Sequence, residues 1–275
     1  MTAARVPPRL LTIAGSDSGG GAGIQADLKT FAAHGAYGMS AITALTAQNT
    51  REVRGVFAAP PDFVAAQIDA VFEDIGVDAV KIGMLADAGL VRAVADRLRF
   101  WTLRQGIPVV LDPVMVAKSG DPLLRDDAVE AVGEELVPLA TLVTPNLPEL
   151  ERLTGLPAQT EEERRRAAAA LAARSDGRTA VLVKGGHAEG PEVVDLLLEG
   201  GRWHRFTHPR LDSRSTHGTG CTLSSAIAAR LARGEAMAEA VAGGIEYLQA
   251  AMKAAYPIGH GHGPVDHLYP WRERA

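Results

Sequence analysis

The chain has 275 residues, of which 47% are hydrophobic and 22% charged, as is typical of a globular protein with a sizeable core. Lys plus Arg number 28 against 33 for Asp plus Glu, and the resulting net charge of −5 argues against general nucleic-acid binding. The longest stretch without a formal charge, 30–50, is too polar to span a membrane. A single cysteine and the lack of an apolar signal core in residues 1–9 predict a cytoplasmic protein.

Short apolar segments alternate with helical ones along the chain. We expect a flexible tail over 1–9 and one domain over 10–275. The predicted strands are 10–14, 38–45, 79–82, 109–111, 142–144 and 180–183, with an edge hairpin of 193–198 and 203–206. The predicted helices are 23–33, 61–74 (with Phe63, Ile68, Val71 and Phe72 on its buried face), 88–100, 128–136, 147–153, 160–174, 221–232 and 237–255. This order predicts an α/β fold, a mostly parallel sheet with helices on both faces.

Polar and glycine-rich segments follow six of these strands, at the ends where parallel sheets bind ligands. They are 15–23, 46–49, 83–84, 112–114, 144–146 and 184–187. One polar strand end means little, but six on one rim of the sheet predict a site there.

The segment 215–221 (STHGTGC) leads directly into an apolar helix. A glycine turn at a helix start presents free N–H groups and the positive end of the dipole, which suits a phosphate. Cys221 at this position is expected to have a lowered pKa, which makes it a candidate base for phosphoryl transfer. The alternative is a glycine turn capped by Thr219 with a small buried cysteine.

The first glycine loop, 15–23, resembles a dinucleotide-binding loop but fails in detail. If the spacing is counted from Gly19 and Gly21, Ile24 stands where the last glycine belongs, and the next strand ends without an acidic residue. No Gly-Lys-Ser/Thr follows, so it is not a Walker loop either. We expect a cover over a small molecule, with Asp17 and Asp27 as polar contacts, although Asp27 is equally well an exposed helix residue.

Two further features favour a nucleotide. Asn146 and Glu149, three residues apart, can hold the hydration shell of Mg²⁺, but they equally match a helix capping box. Lys184, which ends a buried strand, is a candidate counter-charge for ATP phosphates. The histidines of the tail 260–267 suggest zinc, but Gly259, Gly261 and Gly263 predict a loose segment and no cysteine joins it, which argues against a zinc site.

Taken together, the motifs resemble one family, the bacterial hydroxymethylpyrimidine and phosphomethylpyrimidine kinases of the ribokinase-like superfamily. The matching segments are AGSDSGGGAGIQADLKTF, ITALTAQNT, VKIGML, VLDPVMVAKSGDPLL, VTPNLPE, VKGGH, STHGTGCTLSSAIA and GHGHGPVDHLYPW. The resemblance implies a dimeric enzyme that uses Mg-ATP to phosphorylate 4-amino-5-hydroxymethyl-2-methylpyrimidine and then its monophosphate, for thiamine biosynthesis.

The resemblance also implies roles for single residues. Gln48 would pair with the pyrimidine edge, and Ala22, Asp27, Met84 and Val114 would complete the pocket around the ring. Gly218, Thr219 and Gly220 would form the anion hole, beside Cys221 as the base where most of the superfamily has aspartate. Asn146 and Glu149 would associate with Mg²⁺, Lys184 would contact ATP phosphates together with Asn146 and Thr219, and Lys118 would close over the site or receive the monophosphate.

Three other functions compete with this one. A pyridoxal or pyridoxine kinase uses the same fold and a similar alcohol, but Gln48 near Met84 with a cysteine base favours the pyrimidine. An NAD-dependent dehydrogenase is disfavoured by the failed glycine spacing. A noncatalytic binding protein would not need Cys221, Lys184 and Glu149 together.

Overall fold

The computed structural model of the protein describes residues 6–102, 105–116, 120 and 126–272. The strands are β1 Arg9–Asp17, β2 Tyr37–Gln48, β3 Val53–Ala58, β4 Ala79–Ile82, β5 Val109–Leu111, β6 Leu142–Val143, β7 Ala180–Val183, β8 Glu192–Glu199 and β9 Arg202–Pro209. The helices are α1 Gly23–Ala33, α2 Pro61–Asp74, α3 Ala88–Trp101, α4 Asp126–Ala131, α5 Leu147–Thr154, α6 Glu161–Ala172, α7 Thr219–Leu231, α8 Met237–Lys253 and α9 Tyr269–Arg272. In the described parts of the chain, no helix is long and apolar enough to cross a membrane.

The strands form a single sheet in the order β3-β2-β1-β4-β5-β6-β7-β8-β9. The pairs from β2 to β7 are parallel, while β3 and the β8–β9 hairpin add antiparallel edges. The predicted α/β class and the edge hairpin are confirmed. Strand β3 was missed because all its residues after Val53 are exposed, so it has no alternating buried pattern.

Helices cover both faces of the sheet, and each face has its own apolar core. In β1, Leu11 and Ile13 pack into the core under α2, α3, α5 and α6, whereas Leu10 packs into the core under α1, α7 and α8. This alternation follows from the period of two residues in a strand. Val64, Ile68 and Phe72 form the buried face of α2, but Phe63, predicted to join it, is 61% exposed.

The chain enters the sheet slightly earlier than predicted. Arg9, expected at the end of the tail, begins β1 and pairs with Asp78 at 2.7 Å. The Pro8 carbonyl accepts a hydrogen bond from Tyr37 N. Residues 1–5 of the predicted tail lie outside the described residues.

Candidate active site

A cavity of about 570 Å³ lies at the carboxyl ends of the parallel strands. It collects residues from all six predicted rim segments and from the start of α7. Among the predicted site residues, its walls contain Ala22, Gln48, Met84, Val114, Asn146, Glu149, Lys184, Gly218, Thr219, Gly220 and Cys221. Asp27 does not line it, and Lys118 lies outside the described residues.

The first turn of α7 faces this cavity. Gly218 is its N-cap with a left-handed φ of 78°, and a Cβ at this position would overlap the Gly21 carbonyl oxygen, so only glycine fits. Thr219 is therefore the first helical residue and not the cap. The N–H groups of this turn have no partner within the helix, because no residue four positions earlier is helical. Free N–H groups at a helix N-terminus are suited to bind a phosphate.

Cys221 lies in this turn, but its thiol does not have the expected chemistry. Burial raises the pKa of Cys221 to about 11, and the nearby Asp27 and Asp112 carboxylates add to this effect. The Lys81 ammonium and a hydrogen bond from Gly23 lower the pKa, but too little to compensate. The expectation of a lowered pKa is wrong, because burial of the sulfur outweighs the interactions that favour the thiolate.

Beside the anion site, Lys184 bridges two carboxylates. Its Nζ lies 2.7 Å from Asp112 Oδ1 and 3.9 Å from Glu149 Oε2. Burial disfavours the ammonium, but both carboxylates outweigh burial and raise the pKa of Lys184 above its usual value. A Cβ at Gly220 would lie 3.3 Å from Lys184 Nζ, so this charge is in contact with the start of α7.

Asn146 and Glu149 form a capping box at the start of α5. Asn146 Oδ1 accepts from Glu149 N at 2.9 Å, and Glu149 Oε2 accepts from Asn146 N at 2.8 Å. The helix capping box, which was the alternative to a Mg²⁺ site, is therefore present, yet Glu149 also lines the cavity. Burial raises the pKa of Glu149 to about 7, Asp112 adds to the shift, and Lys184 and Asn146 oppose it.

These residues fit a hydrated Mg²⁺ ion better than a directly bound one. Two carboxylates, Asp112 and Glu149, share a single ammonium, so negative charge is left at the cavity wall when the pH is above the Glu149 pKa of about 7. One Glu149 oxygen already accepts from Asn146 N. Mg²⁺ commonly keeps several waters and takes further oxygens from substrate phosphates.

Opposite α7, the glycine loop is organised around Asp17. Its carboxylate accepts from Gly19 N at 2.7 Å, Gly21 N at 3.0 Å, Ala22 N at 2.9 Å and His217 Nε2 at 2.8 Å. Burial opposes its ionisation, but His217 and these N–H groups prevail, so the pKa of Asp17 lies below its usual value. The bond to His217 ties the loop directly to the segment that carries the anion site.

The predicted ring-binding residues lie at the neighbouring strand ends. Gln48 ends β2 and is half-buried, and its Oε1 accepts from Thr46 Oγ1 at 3.2 Å. The Met84 carbonyl accepts from Thr43 Oγ1 at 2.6 Å, which fixes the backbone that follows β4. Gln48 thus presents an amide, and Met84 a thioether, to one side of the cavity.

Asp27 lies beneath the cavity in a closed polar cluster, and the alternative of an exposed residue is wrong. It is fully buried, and its carboxylate accepts from Lys81 Nζ at 2.9 Å, Thr12 Oγ1 at 2.7 Å and Ser225 Oγ at 2.7 Å. Both carboxylate oxygens of Asp27 accept hydrogen bonds from protein groups. Asp27 therefore supports the fold beneath the cavity.

Sequence reasoning assigned no role to Lys81, Asp112 or His217. A lysine inside the apolar strand β4 was a usable signal, because a buried charge needs a partner. In the sequence, Asp112 is distinguished only as part of one of the six polar segments that follow strands. Nothing in the sequence pairs His217 with Asp17, which lies 200 residues away.

The histidine-rich tail is anchored, contrary to the expectation of a loose segment. His262 N donates to the Thr50 carbonyl at 2.8 Å, and Gly261 N donates to Thr50 Oγ1 at 3.1 Å. His267 is buried and contacts Thr222 Oγ1 at 3.1 Å. Among the described residues, no group of three or more His, Cys, Asp or Glu is arranged to hold a metal ion.

Comparison with known proteins places this site in a family. Residues 17–266 match the family model described as phosphomethylpyrimidine kinase. The hydroxymethylpyrimidine/phosphomethylpyrimidine kinase of Rhizobium meliloti is 54% identical over 263 residues, which are 95% of this chain and 97% of that protein.

Two further comparisons differ in length and in name. The thiamine biosynthesis bifunctional protein ThiED of Geobacter sulfurreducens is 54% identical over 94% of this chain, which spans only 52% of that protein. A crystal structure of an ADP complex of Bacillus subtilis pyridoxal kinase superposes with a TM-score of 0.86 at 38% identity, covering 95% of this chain and 97% of that one. From the match over most of its length, the chain belongs to the phosphomethylpyrimidine kinase family.

Proposed function

We propose that this protein transfers the γ-phosphoryl group of Mg-ATP to the hydroxymethyl group of 4-amino-5-hydroxymethyl-2-methylpyrimidine, and then phosphorylates the monophosphate to the diphosphate for thiamine biosynthesis. One observation carries the proposal. A single cavity joins the amide of Gln48, the first turn of α7 with Cys221, and the Lys184–Asp112–Glu149 cluster. It thus offers a ring-binding end, a phosphate site and a charge cluster for the nucleotide.

In the transfer step, the substrate hydroxyl oxygen forms a bond to the γ-phosphorus while the bond between that phosphorus and the leaving oxygen of ADP breaks. The hydroxyl proton passes to the sulfur of the Cys221 thiolate, which becomes the thiol. The N–H groups of the α7 start and the Lys184 ammonium stabilise the charge on the transferring group, which is the main task in phosphoryl transfer. Mg²⁺ associated with the phosphates would add positive charge there, held through water by Glu149 and near Asn146.

For the second step, we assign the monophosphate to Lys118, because it stands in the sequence between Val116 and Gly120, which line the cavity, and an ammonium can neutralise the added phosphate. The oligomeric state of the protein is also a proposal. The exposed apolar side chains at the β2–β3 edge, among them Tyr37, Leu45 and Phe57, favour a homodimer, which sedimentation of the purified chain would test. A cytoplasmic location is a separate proposal.

Pyridoxal kinase activity is the second candidate, because the Bacillus subtilis structure with that name shares the fold over nearly the whole chain. The test is to incubate the protein with Mg-ATP and either the pyrimidine alcohol or pyridoxal, and to follow ADP. Faster ADP release with the pyrimidine supports the proposal, while release with pyridoxal alone overturns it.

Replacing Gln48 with leucine is expected to weaken binding of the pyrimidine alcohol by roughly 1–3 kcal/mol, because polar ring atoms would lose their hydrogen-bond partner. ATP binding should barely change. Calorimetry with each ligand measures both effects. The same substitution at the exposed Gln105 should alter neither. Unaltered affinity for the pyrimidine would place the ring elsewhere.

Changing Glu149 to glutamine is expected to raise the Mg²⁺ concentration for half-maximal rate about tenfold or more. Glutamine keeps the capping box but removes the charge. In the wild type, Glu149 is ionised above its pKa of about 7 and neutral below it, so this Mg²⁺ requirement should rise as the pH falls through 7. In the variant, that pH dependence should disappear.

Glu163 provides the matched control, because it closes the same kind of capping box with Thr160 at the exposed start of α6. Glu163→Gln should leave the Mg²⁺ requirement unchanged. If Glu149→Gln changes only the thermal stability, the carboxylate acts solely as a helix cap.

A further inference from the structure

The proposed function leaves the histidine-rich tail without a role. We name residues 259–264 of this tail the tail strap. None of these six residues lines the cavity. His260 and His262 are exposed, whereas Gly261 is half-buried and Gly263 is buried. The tail strap therefore touches no ligand in the cavity, and any effect that it has on the reaction must pass through the residues that it contacts.

On one side, the tail strap is bonded to the turn that follows β2. The Thr50 carbonyl accepts a hydrogen bond from His262 N at 2.8 Å. Thr50 Oγ1 accepts from Gly261 N at 3.1 Å and from His260 N at 3.3 Å. Thr50 lies two residues after Gln48, which ends β2 and is the proposed contact for the pyrimidine ring. The tail strap therefore holds the backbone of the ring-binding end of the site.

On the other side, the tail strap is bonded to the segment that leads into α7. The Gly263 carbonyl accepts from His217 N at 3.0 Å, and Gly263 N donates to the Arg214 carbonyl at 3.1 Å. His217 directly precedes Gly218, the N-cap of α7. Consecutive residues of the tail strap, His262 and Gly263, thus bond to the ring-binding end and to the phosphate end of the site.

The glycines allow the tail strap to approach Thr50 this closely. A Cβ at Gly261 would overlap the Thr50 carbonyl oxygen, and a Cβ at Gly259 would overlap Thr50 Oγ1. Gly259 also has a left-handed φ of 72°, which favours glycine. The alternation of glycine and histidine therefore has a structural reason, because glycine stands where the tail strap meets the turn and histidine stands where it faces solvent.

We propose that the tail strap is a positioning element that sets the separation between the ring-binding end of the site and the phosphate site at the start of α7. The inference rests on the proposed function, in which Gln48 anchors the alcohol and α7 the γ-phosphoryl group. Transfer needs the hydroxyl oxygen in line with the phosphorus and about 3–3.5 Å from it. A shift of one end against the other changes this distance, while each ligand keeps its own contacts. Loosening the tail strap should therefore lower kcat more than the affinity for either ligand.

Gly261→Ala tests the inference, because its Cβ forces the tail strap and the Thr50 turn apart. We expect kcat for the pyrimidine alcohol to fall about 10²-fold, as a misplacement of about 1 Å can cause. Calorimetry should give affinities for Mg-ATP alone and for the alcohol alone that are close to those of the wild type, which also shows that the variant is folded. Gly55→Ala is the matched control and should preserve kcat, since a Cβ at Gly55 in β3 meets open space.

Two variants of Thr50 test the same contact without a steric clash. Thr50→Val keeps the shape of the side chain but removes the acceptor for Gly261 N and His260 N, so kcat should fall while both affinities persist. Thr50→Ser keeps the hydroxyl and should retain the kcat of the wild type. Equal kcat values in these two variants would overturn the inference. So would a Gly261→Ala variant that loses affinity for both ligands in proportion to its loss of rate, because the tail strap would then only support the fold.

The outcome also separates this inference from the proposed function. If the alcohol is phosphorylated and Gly261→Ala is as fast as the wild type, only the role of the tail strap is lost. If the wild type phosphorylates pyridoxal instead, the proposed substrate is wrong, and a fall in kcat for pyridoxal in Gly261→Ala still supports the positioning role. If the wild type transfers phosphate to neither alcohol, both proposals fail.

Discussion

Replacing Cys221 with alanine is expected to lower kcat/KM for the pyrimidine alcohol by about 10²–10⁴-fold at alkaline pH, the usual contribution of a general base. ATP affinity should stay nearly intact, because the N–H groups of the α7 start and Lys184 remain. The loss should be smaller at neutral pH. With a pKa of about 11, only about one thiol in 10⁴ is ionised at pH 7.

This pKa predicts the shape of the pH profile. Because kcat/KM reports groups of the free enzyme, it should rise about tenfold per pH unit as the thiolate fraction grows towards pH 11. Cys221→Asp should retain part of the rate, as in the wider superfamily with its aspartate base, and should flatten the profile because a carboxylate is already ionised. Since Cys221 is the only cysteine, its alkylation by iodoacetamide measures the same pKa independently.

Three results would contradict this role. A phosphorylated Cys221 trapped during turnover with labelled ATP would make the sulfur a nucleophile and not a base. Full activity of Cys221→Ala at every pH would remove the residue from the mechanism. A flat pH profile in the wild type, together with slow alkylation at neutral pH, would show that a group other than the thiolate accepts the proton.

The sequence predicted the sheet well because its parallel strands are buried on both sides and appear as short apolar runs. The same rule explains the failure at β3, an exposed edge strand with no such run. Helix α2 shows a related limit. Phe63 lies five residues before Ile68 and nine before Phe72, about 140° and 180° around the helix from them. Val64, four and eight residues before the same two side chains, takes the buried place instead.

At the site, the sequence predicted the residues of the cavity wall better than their charge states. Strand ends and glycine turns are local features, so Gln48, Lys184 and the α7 start were found in the cavity wall. The pKa of Cys221 depends instead on burial and on Lys81, Asp27 and Asp112, which come from β4, from α1 and from the position after β5. The spacing of Asn146 and Glu149 cannot by itself distinguish a capping box from a cation site. In the structure, Glu149 closes a capping box and also lines the cavity.

The second large effect is expected beneath the site, at the ion pair of Lys81 and Asp27. Both side chains are fully buried, 2.9 Å apart. Asp27→Ala is expected to lower the free energy of unfolding by about 3–5 kcal/mol, because it leaves a buried ammonium without a partner. The Thr12 and Ser225 hydroxyls would lose their acceptor as well. Denaturant unfolding measures the loss.

Asp74, exposed at the end of α2, provides the matched control, since Asp74→Ala should change stability by no more than about 0.5 kcal/mol. A Lys81→Met, Asp27→Ala double variant should be more stable than the sum of the two single losses predicts, because the unpaired charge is gone. A simple sum of the two losses would mean that the pair is not coupled.

The same lysine connects this pair to the chemistry above it. The Lys81 ammonium lowers the pKa of Cys221 against the effect of burial, so Lys81→Met should raise that pKa further and slow iodoacetamide alkylation at a given pH. Asp27→Ala should act in the opposite direction, since it removes a carboxylate that disfavours the thiolate. Opposite shifts from two variants that both destabilise the fold cannot come from lost stability alone. Equal alkylation rates in both variants would show that the Lys81–Asp27 pair supports the fold of the site without changing the pKa of Cys221.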